Sequence, residues 1–200
     1  MIFRIKQRWW CSLLATAVLW SVAWLSGALE RPEGNLGSVV RAVAIGAIAA
    51  FGCLVLNYAI DRTLWLIFRQ RYSRPFHTFA MDVIDGMGPA DAVAGGVMAG
   101  AGEEPFFRAL LVPLCGPPVM AVPLVAVLFG LAHYLRREYF GFLVWGMGEG
   151  LFFGMLYIAT GSVLVPAVAH GIFDAVGFGY FLWLRRRGPA RGAGSHDVAP

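Results

Sequence analysis

The stretch Ala99–Pro113, AGAGEEPFFRALLVP, sets two adjacent carboxylates, Glu103 and Glu104, and a guanidinium, Arg108, inside an otherwise apolar run over residues 90–114. That run is long enough to cross a bilayer, which takes about 20 helical residues. A charged side chain at mid-membrane costs about 2.5–3.5 kcal/mol even on lenient insertion scales. Three of them within six residues need compensation. Lipid cannot satisfy such groups, so they face a bundle interior or a water-filled cavity. The stretch reads as part of an active site, on which the later polar groups His133, His170 and Asp174 are expected to converge.

The rest of the chain supports a membrane setting. Its 200 residues are 58% hydrophobic and 14% charged, where a soluble domain has about 45–50% and about 25%. The apolar excess is gathered into runs of near-spanning length. Spans are expected over residues 9–29, 39–60, 90–114, 117–135, 139–159 and 162–184. The first is too long for the roughly 7–15-residue apolar region of a signal peptide, so it is expected to be a retained helix. A basic, aromatic connector over residues 61–79 should lie on the cytoplasmic interface. Gly116-Pro117-Pro118 and Thr160-Gly161-Ser162 mark tight turns, and Asp82, Asp85 and Asp91 read as turn and cap residues. His77 and His196 read as solvated bystanders.

The net charge of +4 does not point to nucleic acid. The basic residues flank apolar runs: Arg4, Lys6 and Arg8; Arg69, Arg71 and Arg74; Arg136 and Arg137; Arg185, Arg186 and Arg187. With six spans all of these fall on one side, as the positive-inside rule requires. The expected fold is therefore an all-α polytopic membrane bundle of about six transmembrane helices, N-in and C-in. Arginine supplies all but one of the 16 basic residues, which suggests a GC-rich bacterial source and hence a bacterial cytoplasmic membrane. Three regions are expected: residues 1–77, two helices and the basic connector; residues 78–184, a catalytic core of four helices; and residues 185–200, a basic, disordered tail. Cys11, Cys53 and Cys115 form no CxxC pair and read as buried small hydrophobes.

Residues four apart share a helix face, which pairs Glu104 with Arg108, Phe129 with His133, and His170 with Asp174. Pro105 removes a backbone hydrogen bond and can loosen the turn before it. Two chemistries suit these groups. Glu and His can activate a water, with the remaining His and Asp polarising a carbonyl. Alternatively Glu103, His133, His170 and Asp174 could hold a metal such as zinc, although no HExxH spacing is present. No Ser or Cys stands in the cluster to act as a nucleophile. One difficulty is depth. Glu103 lies about 20 Å along its helix at 1.5 Å per residue, deeper than His133. Their meeting requires tilted helices or a fourth span continued to Phe140.

These residues also carry a resemblance. EEPFFR, FGLAH and HGIFD match the EExxxR, FxxxH and HxxxN/D motifs of the CPBP (Abi, or CAAX-protease and bacteriocin-processing) intramembrane proteases, in their order and approximate spacing. Residues 148–175 resemble the last two core helices of that family. The resemblance implies a glutamic- or metallo-type endopeptidase acting on a membrane protein or peptide, with zinc or no cofactor. By position, Glu103 and His133 would activate the water and Glu104 would support them with Arg108 as ion partner. His170 and Asp174 would bind the scissile carbonyl. Asp174 departs from the frequent Asn, which can donate to an oxyanion as an ionised Asp cannot. Glu149, a further intramembrane acid, matches no motif and reads as a supporting or channel group. The bland alternatives are a structural ion cluster for Glu103, Glu104 and Arg108, an interfacial histidine at 133, and a satisfied core pair for His170 and Asp174. At the level of function, the rivals are a proton-coupled transporter and a non-catalytic binding or immunity-type protein.

Overall fold

The computed structural model describes residues 16–25, 36–68, 79–134 and 136–187. Residues 1–15 with the basic N-terminus, Cys11 and the start of the first span, residues 26–35 with its end, residues 69–78 of the connector with His77, residue 135, and the tail beyond 187 with His196 lie outside them. Every regular element among the described residues is helical. In chain order these are α1 (Thr16–Leu25), α2 (Leu36–Phe68), α3 (79–84), α4 (Pro89–Glu104), α5 (Pro118–Ala132), α6 (Phe140–Thr160) and α7 (Leu164–Arg187). Three stretches among them are long and apolar enough to cross a membrane: Leu36–Thr63, Arg137–Thr160 and Leu164–Arg187. The protein is an integral, multi-pass membrane protein.

The surface is inverted relative to a water-soluble fold. Leu36, Ile48, Leu114 and Val119 stand mostly exposed, whereas Glu104, Arg108, Glu149 and His170 are buried. Lipid can cover the first group at no cost, and only protein can satisfy the second.

Small residues decide how the helices meet. Gly96 and Gly100, four apart on α4, lie against Ala167, Gly171 and Ala175 of α7. A Cβ on Gly100 would come within 2.2 Å of the Ala167 carbonyl oxygen. This small-xxx-small contact lets two backbones touch. It places Glu104, one turn beyond Gly100, level with the polar face of α7. On the other side, Gly130 of α5 packs against Leu143 and Met147 of α6, and Gly150 of α6 against Ala126. Gly46 of α2 meets Val165 and Val168 of α7, and Ala50 joins Phe153 and Ala169 in one buried cluster. These pairings make α2, α5 and α7 run one way and α4 and α6 the other. Gly161, with φ 63°, supplies the left-handed residue that closes α6 before α7 begins.

Two expectations need correction. The basic connector was expected to start at Asp61, but α2 continues unbroken to Phe68. Asp61-Arg62-Thr63 contains no Gly or Pro, and arginine is a good helix former, so polarity changes there without breaking the helix. Nor does the fourth span continue to Phe140. Helix α5 stops at Ala132 with His133 at its C-cap, and a short 3₁₀ turn, Arg137–Tyr139, leads into α6.

Asp91 is the expected cap, its carboxylate accepting the Gly88 N–H at 2.6 Å. Asp82 is not a cap. It accepts hydrogen bonds from the Tyr139 hydroxyl at 2.7 Å and from Arg136 at 3.2 Å, tying α3 to the turn before α6. Arg185 donates to the carbonyls of Ile84 and Met87 at 2.8 and 3.1 Å, tying the other end of α3 to α7.

Candidate active site

Pro105 has no N–H to give and its ring would crowd the carbonyl one turn back. The chain resolves this by widening. From Pro105 to Leu111 the helix is π-wound before a last α-turn, Val112–Leu114. Such insertions are frequent at functional sites. The loosening expected in the turn before Pro105 is found instead in the turns that follow it. The wide turn directs Arg108 fully inward, at 0% exposure, onto Glu104, also at 0%. Their Nε–Oε2 separation is 3.0 Å, but the N–H is not aligned for a hydrogen bond, so the contact is coulombic. Arg108 also donates from Nη2 to the Gly150 carbonyl at 3.3 Å. The Phe129 ring covers its guanidinium at 4.7 Å, with Phe107 and Phe153 each at 5.7 Å. A desolvated cation–π contact of this kind contributes about 2 kcal/mol.

Glu104 reaches α7 with its other oxygen. His170 donates from Nδ1 to Glu104 Oε1 at 2.8 Å, and both groups are buried. The Nε2 of His170 lies 3.5 Å from Asp174 Oδ2, and its ring stacks on Phe153 at 4.8 Å. A line of polar contacts thus runs from Arg108 through Glu104 and His170 to Asp174.

Glu103 points elsewhere. Its Oε2 lies 3.8 Å from His133 Nε2, with each side chain 25% exposed. The separation is too long for a direct hydrogen bond, and Glu103 Oε2 has no hydrogen-bond partner. On its other side the His133 ring donates from Nδ1 to the Phe129 carbonyl at 2.8 Å. That bond fixes the tautomer of the neutral ring and leaves Nε2 facing Glu103. Glu103 and His133 therefore face each other with no direct hydrogen bond between them.

All the expected residues from α4, the end of α5 and α7 are brought together in two sets: Glu103 with His133, and Glu104 with Arg108, His170 and Asp174. Glu149 sits in α6 beside them, 8% exposed, accepting a hydrogen bond from Trp145 Nε1 at 2.8 Å. Three contributors were not anticipated: the Gly150 carbonyl, the Trp145 indole and the Phe153 ring. Trp145, Glu149 and Phe153 lie four apart in sequence, which put them on one face. Nothing in the sequence said that this face turned inward.

The donor set does not fit zinc. Among the described residues, no group of three or more His, Cys, Asp and Glu is arranged to hold a metal ion. The contacts show why. The acids and imidazoles sit in separate sets, Glu103 with His133, and Glu104 and Asp174 on the two nitrogens of His170. A zinc site needs at least three protein ligands.

Fold and site together define a multi-pass helical membrane protein with acid–imidazole pairs gathered in its interior. Residues 87–176, which carry every residue of the cluster, match the family model described as Rce1-like, Type II CAAX prenyl endopeptidase Rce1-like. No curated protein and no solved structure matches the chain.

Proposed function

We propose that this protein is an intramembrane endopeptidase of CPBP type that hydrolyses a peptide bond of a membrane-associated or lipidated substrate. The observation that carries the reading is the Glu103–His133 pair, two quarter-exposed groups 3.8 Å apart, with a carboxylate oxygen that has no hydrogen-bond partner on one side and the imidazole Nε2 on the other. A water between them gives its proton to the pair as its oxygen bonds to the scissile carbonyl carbon. The oxyanion that forms is held by His170, whose Nε2 is only loosely engaged by Asp174. Collapse of the tetrahedral species breaks the C–N bond, and the proton passes from the pair to the leaving amine. Glu104 and Arg108 hold His170 from behind.

The match over residues 87–176 supports the same reaction class, and its printed description makes a prenylated CAAX peptide the first substrate to try. The alternating direction of α2, α4, α5, α6 and α7 supports successive crossings of a membrane, and the arginines flanking the apolar runs favour six spans with both termini on the cytoplasmic side. The test is cleavage of a quenched-fluorescent prenylated CAAX peptide by the protein in liposomes. In parallel, new protein termini are compared between cells carrying the wild type and cells carrying Glu103→Ala. Termini that depend on Glu103, His133 and His170 support the reading. Cleavage unchanged in all three alanine variants overturns it.

A further inference from the structure

Glu149 takes no part in the reaction just described, yet its carboxyl is buried in α6. Trp145, one turn earlier on the same helix, fixes Oε1. Helices α6 and α7 run antiparallel, and Phe153 stacks on His170. One turn back from Phe153 stands Glu149, and one turn on from His170 stands Asp174. The two acids therefore face each other across the same helix contact. Glu149 is coupled electrostatically to Asp174 and His170 of α7 and to Glu103 of α4. Arg108, in the π-wound turn after α4, feels its charge as well, as does the buried Cys53 of α2.

The cluster cannot be balanced with every acid ionised. It holds four acids, Glu103, Glu104, Glu149 and Asp174, against at most three cations, Arg108, His133 and His170. Glu104 has Arg108 and His170, Asp174 has His170, and Glu103, a quarter exposed, stands beside His133. The hydrogen-bond partner of Glu149 is a neutral indole. An acid buried without a cation neutralises itself by keeping its proton.

We infer that Glu149 is a positioning residue: it carries a proton in the resting protein and presents it to Asp174, which keeps Asp174 on His170 Nε2. With Trp145 on Oε1, the Oε2 hydroxyl is the donor toward α7. Once that proton is lost, two facing carboxylates repel. Asp174 then leaves His170, and the group assigned to the oxyanion loses its support. The inference rests on the hydrolytic reading for its consequence, but not for the proton itself.

The test separates the two. Infrared spectra of the full-length protein in liposomes without substrate are compared for wild type and Glu149→Gln at neutral pH. The wild type should show a protonated-carboxyl C=O band that the variant lacks. The pH profile of cleavage is then measured on the prenylated CAAX peptide for wild type, Glu149→Gln and Glu149→Leu. Glutamine keeps the acceptor for Trp145 and a donor toward Asp174 but cannot ionise. It should retain activity within about twofold and lose the alkaline fall of the wild-type profile. Leucine should lose at least tenfold in kcat at unchanged KM. A missing carboxyl band overturns the inference, as does a glutamine variant no better than leucine, or a leucine variant with the wild-type profile. If the wild type shows the band but cleaves no substrate, the hydrolytic reading fails while the proton assignment stands.

Discussion

Gly100→Ala tests whether the close crossing of α4 and α7 is what assembles the site. The added Cβ would lie 2.2 Å from the Ala167 carbonyl oxygen and 3.0 Å from the Gly171 nitrogen, where ordinary contact begins near 3.4 Å. The shortfall against the carbonyl is about 1.2 Å. Both obstructing atoms are backbone, so no rotamer change relieves them and one helix must withdraw. Glu104 sits one turn from the obstruction and accepts its hydrogen bond from His170 at 2.8 Å. A withdrawal of about 1 Å takes that contact past the hydrogen-bond limit of about 3.2 Å. Overpacking costs about 1–3 kcal/mol, partly offset by the 0.5–1 kcal/mol that alanine gains over glycine within a helix. A misplacement of about 1 Å costs about 100-fold in turnover. The expected result is a modest loss of stability and a far larger loss of cleavage, read by thermal unfolding in detergent and by the peptide assay in liposomes. Gly148→Ala is the control. It lies mid-helix in α6 with nothing within 4 Å of the new Cβ, and should be neutral or slightly stabilising. A Gly100→Ala protein with wild-type stability and turnover would refute the view that this crossing positions Glu104 and His170.

Glu103→Gln should lower cleavage at least 100-fold while moving unfolding by less than about 0.5 kcal/mol, because its 3.8 Å approach to His133 is not a structural hydrogen bond. A large stability loss would reassign Glu103 to the scaffold. Arg108→Met should destabilise by about 3–5 kcal/mol, the cost of breaking a buried ion pair by removing one member, since Glu104 beside it has no exposure and keeps only His170. Adding Glu104→Gln should restore part of that loss in the same unfolding assay, and no restoration would argue against the pairing. Zinc chelators should leave the cleavage rate unchanged, because among the described residues no three of these donors converge on one point. A rate lost to chelation and restored by zinc would overturn that donor assignment.

Much of this arrangement was legible in the sequence. Charged groups isolated in apolar runs had to turn inward, and the four-residue spacings of Glu104 with Arg108 and His170 with Asp174 fixed which atoms could meet on one helix. The limits of α4 through Leu114, of α6 and of α7 fell within a few residues of the apolar runs. What the sequence did not reveal depends on how helices are rotated against each other. The helical turn around Pro105 could absorb the proline by kinking or by widening, and the wide form observed is the one in which Arg108 meets Phe129 and Gly150. The continuation of α2 past Asp61 was masked because a change in polarity looks like an end when no tertiary contact is known. The inward turn of Glu149 required knowing that Phe153, one turn away, stacks on His170.

The apparent depth conflict between Glu103 and His133 resolves through the end of a helix. Helix α5 is only 15 residues long, and its last carbonyls lack partners from its own backbone. His133 stands at the cap with φ −94° and ψ −5°, and its backbone N–H turns to the Gly130 carbonyl at 3.1 Å. The carbonyl of Phe129, four residues back, is then taken by the imidazole Nδ1. The same Phe129 covers Arg108 with its ring. One residue thus satisfies a helix end, fixes the nitrogen that faces Glu103, and shields the cation that holds Glu104. The phenylalanine-to-histidine spacing of four follows from this geometry: at a helix C-terminus it is the offset at which a ring nitrogen folds back onto an open carbonyl. A longer α5 would use that carbonyl in its own backbone ladder and leave the imidazole free to rotate away from Glu103.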